Sequence, residues 1–203
     1  MAASTAPART DRSDFRTVTT GGALVGAGIG VAVVLVVATS RLRGGPARDG
    51  VAALVVLAAS VVAALLPAQW TGARGIDGIA GAAAVGLVGT VVFSAVDIVL
   101  LRPFKAYPWT WDALGGGSTW WYLPVWWMLG TFLAWMGGIV TAGQAARGDA
   151  TLARTARLPV AATVIVAAVA RLAGLPVALP VLTGGAFTLV VTALALVALT
   201  RKA

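Results

Sequence analysis

Hydrophobic and polar positions alternate along this chain in long blocks rather than with a short period. Six predominantly apolar stretches, residues 18–40, 51–70, 77–101, 121–143, 159–175 and 181–200, are separated by segments that hold most of the charged residues. A helix of about 20 apolar residues crosses about 30 Å of hydrocarbon at 1.5 Å per residue. The pattern therefore predicts an all-α polytopic transmembrane helix bundle of six spans. Residues 1–16 are expected to form a disordered polar tail, and residues 17–203 a single transmembrane helical domain. The first span is longer than a secretory h-region and runs into Arg41 and Arg43 instead of a small-residue cleavage site, so it is expected to be retained.

The fifth span is the shortest. Pro159 suits a first helical turn, while Pro176 and Pro180 close this span and open the next, with only residues 174–180 between them. A broken hairpin in place of spans five and six would leave five crossings. With six, nine of the 15 basic residues lie on the side of both termini and six on the other, a bias that favours cytoplasmic termini.

Small residues mark where helices approach closely, because in lipid no hydrophobic gain drives one helix onto another. Gly22, Gly26 and Gly30 form one stripe on the first span, and Gly130, Ala134 and Gly138 another on the fourth. Each stripe is expected to pack within the chain, with a partner subunit as the alternative.

Composition narrows the chemistry. The chain is 59% hydrophobic and 11% charged, far below the quarter or so typical of soluble domains. It contains no His, Cys, Glu or Asn. It therefore lacks the usual ligands for haem, zinc, copper or iron–sulfur clusters, so no metal site is expected and a redox centre would belong to a partner. Ser/His and Cys/His nucleophilic chemistry is excluded on the same inventory. The net charge of +8 lies beside apolar spans without a basic, aromatic-interleaved face, which fits anionic lipid rather than nucleic acid. Arg outnumbers Lys 13 to 2, and the Ala/Val/Gly richness points to a GC-rich bacterium and hence its plasma membrane.

Two ionisable residues fall inside spans. Asp97 and Arg171 each lie four residues before the end of an odd-numbered span, so both are expected near one membrane face. A charge at the bilayer centre costs at least ~2.5–3.5 kcal/mol on insertion scales. The two are expected either to meet or share a polar cavity, or to snorkel separately to headgroups.

Seven of the eight tryptophans lie between Trp109 and Trp135. Indole favours places that are greasy on one side and wet on the other. The connection containing Tyr107, Trp109, Trp111, Trp120, Trp121 and Tyr122 is the longest in the chain. Pro103 and Pro108 oppose a continuous helix there, and Gly115 to Gly117 allow a reversal, so it is expected to fold back as an interfacial cap. Trp127 and Trp135, eight residues apart, fall near one helical face, with Trp126 about 100° away. Trp135 lies roughly 20 Å along the helix from Trp121, too deep for an interfacial belt alone, and is expected to pack against helices, a lipid tail or a planar ligand.

These features favour a non-catalytic integral subunit of a larger membrane complex. Its Trp-rich face would bind partner helices and membrane lipids, or touch a quinone or carotenoid. The alternatives are a small transporter for an apolar or aromatic solute, with the Trp loop as lid and Asp97, Asp112 and Arg171 as polar contacts, and an Asp-based intramembrane enzyme.

Overall fold

The computed structural model describes residues 11–39, 41, 44–103, 122–148 and 150–201. Among these there are six long helices and no strand: α1 (Phe15–Thr39), α2 (Pro46–Trp70), α3 (Ile76–Val96, continued by a π-helical turn over Asp97–Leu101), α4 (Tyr122–Ala145), α5 (Leu152–Leu172) and α6 (Leu179–Thr200). All six are long and apolar enough to span a membrane. The chain is a multi-pass membrane protein with six spans, and the five-span alternative is set aside.

Two glycines close the sharp turns. Gly72 (φ +61°) and Gly174 (φ +77°) take left-handed conformations after α2 and α5. The N–H of Ala73 reaches back to the Ala68 carbonyl, and that of Leu175 to Ala170, the six-to-one bond of a Schellman stop. Gly supplies such a conformation without the steric cost of a Cβ.

The fifth helix corrects the sequence expectation. Pro159 lies inside α5 and is buried, rather than in its first turn. The helix starts at Leu152, where the Thr151 hydroxyl accepts the Arg154 N–H as an N-cap. Apolarity was the signal for a span beginning at Pro159, but the helix runs two turns further through Arg154 and Arg157, both exposed. A proline is tolerated within a membrane helix where neighbours and Ser/Thr side chains satisfy the freed backbone groups.

Helix α2 contacts all five others, and α3 is wedged between α1 and α4. The main apolar core lies where α2, α4 and α6 meet, around Leu65, Leu133, Met136, Phe187 and Val191. Both small-residue stripes are spent inside the chain, on opposite flanks of α3. A methyl group at Gly26 would stand 2.5 Å from the Gly89 carbonyl oxygen and 2.8 Å from Val92 Cβ. One at Gly86 would stand 2.5 Å from the Gly130 carbonyl oxygen and 2.6 Å from Ala134 Cβ. Gly22 likewise abuts Val88 and Gly89, Gly30 faces Val96, and Gly138 faces Ile79 and Ala82. The partner-subunit alternative for these two stripes falls away.

The segment ahead of α1 is tied down as well. The Asp11 carboxylate accepts backbone N–H groups from Arg74 (3.1 Å), Gly75 (2.8 Å) and Gly78 (3.0 Å), and the Arg12 N–H donates to the Thr71 carbonyl at 2.7 Å. Residues 11–14, assigned from sequence to the polar tail, thus cap α3 and brace the α2–α3 turn. Asp14 in turn caps α1, accepting both the N–H and the hydroxyl of Thr17.

Candidate functional site

The Trp-rich region meets α3 at its C-terminal end. Thr90, Ser94, Asp97 and Leu101 follow one another at spacings of four, three and four, and all four are buried. Such spacing puts them on one face of the helix. The Trp127 indole N–H donates to the Ser94 hydroxyl at 3.2 Å, and that hydroxyl donates to the Thr90 carbonyl at 2.7 Å. Beside it the Trp126 ring stands edge-on to Phe93, with centroids 6.2 Å apart and planes at 76°. Two adjacent indoles therefore lock the start of α4 to the end of α3. The hydrogen bond satisfies an N–H that lipid would leave unpaired.

Asp97 lies within this seam and is 1% exposed. Its carboxylate lies 3.4 Å from the Arg102 Nε, and its carbonyl accepts the Arg102 N–H at 2.9 Å. This corrects the expected meeting of Asp97 with Arg171, which is exposed on α5, a helix packed chiefly on α6 and α2. On a regular α-helix residues five apart point about 140° away from each other. The π turn, with its i to i+5 bonds, instead brings Asp97 and Arg102 to the same side.

Of the surroundings expected for Trp135, packing among this chain's own helices is the one it lacks: it is 48% exposed on the outside of α4, which leaves a lipid tail, a planar ligand or another helix. Eight residues leave it about 80° around the helix from Trp127, enough to turn one ring toward α3 and the other outward. Trp126 and Trp127, expected on separate faces, both contact α3. Tyr107, Trp109, Trp111, Trp120 and Trp121 lie outside the described residues, as does the cap they were expected to form, and of Tyr122 only its place at the start of α4 is described.

The sequence gives no signal for Phe93 or Ser94, and Arg102 stands out there only as a basic residue at the start of the Trp-rich connection. Nothing in the local pattern signals a π turn, and Ser94 stands out only once Trp127 is known to face it. Among the described residues there is no group of acids able to hold a metal ion.

A second feature lies along the lipid-facing surface. Between α1 and α2 runs an apolar groove of about 240 Å³, walled by Gly28, Ala32 and Leu35 on one side and by Val55, Ala58 and Ala59 on the other. Nothing lies within 4 Å of where a Gly28 Cβ would be.

Together the bundle and its surfaces define a six-span helical membrane protein. Comparison of the chain with family models, curated proteins and solved structures finds no significant similarity.

Proposed function

We propose that this chain is a non-catalytic integral subunit of a larger membrane assembly, docking a transmembrane helix of another polypeptide in the groove between α1 and α2. The observation that carries this reading is the row of small residues, Gly28, Ala32, Ala58 and Ala59, left uncovered when the other two stripes are consumed inside the chain. Small side chains on both walls suit the close backbone approach of another helix, the main source of attraction between helices in lipid. The polar groups within the membrane support the same reading. Asp97 is paired with Arg102, and Trp127 with Ser94, so both serve the chain's own packing. The inventory without His or Cys leaves metal-centred redox chemistry and His-assisted nucleophilic chemistry to partners. The excess of basic residues on the termini side supports cytoplasmic termini in a bacterial plasma membrane.

Purification from native membranes tests the reading. A partner polypeptide should co-purify in fixed stoichiometry and be lost with Gly28→Leu while the bundle stays folded. A stable monomer or homo-oligomer carrying only lipid, quinone or carotenoid would count against it. Tryptophan fluorescence responding to an aromatic solute in such a monomer would favour a transporter.

A further inference from the structure

On the face that carries residues 11–14 and the end of α6, a polar cleft of about 300 Å³ opens between the α2–α3 turn and the end of α4. It is bordered by Arg12, Arg74, Gln69, Trp70 and Thr141. Both arginines are exposed, and no acid is among the described lining residues. Asp11, next to Arg12 in sequence, is committed to the backbone N–H groups of Arg74, Gly75 and Gly78. That brace also holds Arg12 and Arg74, 62 positions apart in sequence, beside the same opening.

The second observation lies in the cleft wall. Thr90, Thr131, Thr163, Thr183, Thr188 and Thr192 each return their hydroxyl to the carbonyl four residues back. Thr141, 3% exposed, does not, and its Oγ1 is buried with no hydrogen-bond partner. The Gln69 Nε2 is buried and unpartnered as well. Buried polar groups in native proteins are nearly always satisfied, and two orphaned donors on residues that border one cationic cleft leave unused capacity for an acceptor there. A compact oxyanion meets both requirements. Guanidinium groups recognise phosphate oxygens through paired charge-assisted hydrogen bonds, and an indole beside them forms an amphipathic wall suited to the membrane interface.

We propose that this cleft binds a phosphate group, held by Arg12 and Arg74 at its mouth and by Gln69 and Thr141 in its wall. The group is either free phosphate or the headgroup of an anionic phospholipid, since the recognising chemistry is shared.

Trp70 provides the readout, because the other seven tryptophans lie in residues 109–135 and the difference between wild type and Trp70→Phe isolates its emission. The full chain is placed in phosphatidylcholine nanodiscs and titrated with inorganic phosphate. In parallel it is placed in nanodiscs of increasing phosphatidylglycerol content, with retained lipid counted by native mass spectrometry. A saturable Trp70-dependent change in the first arm alone assigns a soluble phosphate, and in the second alone a lipid headgroup. In the responding arm Arg12→Gln with Arg74→Gln should weaken binding at least about tenfold, as expected for lost charged hydrogen bonds. Thr141→Val should weaken it by a smaller factor at unchanged charge. The same two-charge loss at Arg154 and Arg157 should leave it unaltered. No response in either arm, or an equal loss in the Arg154/Arg157 variant, would overturn the site.

Discussion

The Trp127 indole N–H and the Ser94 hydroxyl meet at 3.2 Å across the α3–α4 contact, and Ser94 passes the interaction on to the Thr90 carbonyl. One side-chain bond thus anchors the Trp-rich end of α4 to α3, the helix wedged between α1 and α4. Interhelical hydrogen bonds in membranes are worth about 0.6 kcal/mol on average. Trp127→Phe, which keeps an aromatic ring but removes the donor, should lower unfolding stability by about that much. Ser94→Ala should do likewise, and the double variant should cost less than the sum of the two, because both remove one interaction. Reversible unfolding in bicelles or mixed micelles measures this; strict additivity would mean that the contact contributes nothing.

Gly26 and Gly28 are two residues apart on α1, yet only Gly26 should be intolerant of a side chain. A side chain at Gly26 collides with the Gly89 carbonyl and Val92, whereas one at Gly28 meets nothing within 4 Å. Gly26→Val should separate α1 from α3 and cost about 1–3 kcal/mol or more, the usual range for overpacking. Gly28→Leu should leave the stability of the isolated chain within about 0.5 kcal/mol. Thermal unfolding of the two variants in the same detergent distinguishes them.

Arg102 should matter far more to the fold than Arg171. Arg102→Gln takes the counter-charge from a carboxylate that is 1% exposed, a type of loss that costs about 3–5 kcal/mol. Adding Asp97→Asn should recover much of that loss, since the buried charge is then gone. Arg171→Gln, at an exposed site, should change stability by less than about 0.5 kcal/mol. If the Arg171 and Arg102 variants lose equal stability, the assignment of the ion pair is wrong.

Asp14 sets a pH response at the start of α1. Its hydrogen bonds from the Thr17 hydroxyl and N–H hold its carboxyl below the usual carboxylate value. A group whose folded value is depressed stabilises the fold above its unfolded pKa, and the contribution disappears as pH falls through the folded one. The capping contribution should therefore be complete at neutral pH and fade only under acid. Carboxyl NMR of the labelled chain should show Asp14 titrating upward in Thr17→Val; an unmoved titration would dissociate the cap from the shift.

The number of helices was readable in the sequence because bilayer thickness fixes the length of apolar chain needed to cross it. The glycine stripes were readable for a related reason, since close approach in lipid demands small residues at helical spacing. Features set by local backbone register were not. The π turn that unites Asp97 with Arg102 carries no compositional mark, and Pro159 reads as a helix start unless Thr151 is recognised as the cap. The outward turn of Trp135 depends on an 80° offset that spacing alone leaves ambiguous. Least readable was the cleft that joins Arg12 to Arg74, because Arg12 reaches it through Asp11 carboxylate bonds to a turn over 60 residues away.

The groove between α1 and α2 carries the central claim, and the absence of cysteine makes it directly accessible to single-cysteine chemistry. Ala58→Cys on its wall and Leu172→Cys at the far end of α5 are each treated in native membranes with a short thiol-to-amine or photoactivated cross-linker. Ala58→Cys should give one discrete adduct with a different polypeptide, abolished by Gly28→Leu, while Leu172→Cys should give none. Adducts to lipid only, or the same adducts from both positions, would contradict the proposed subunit role.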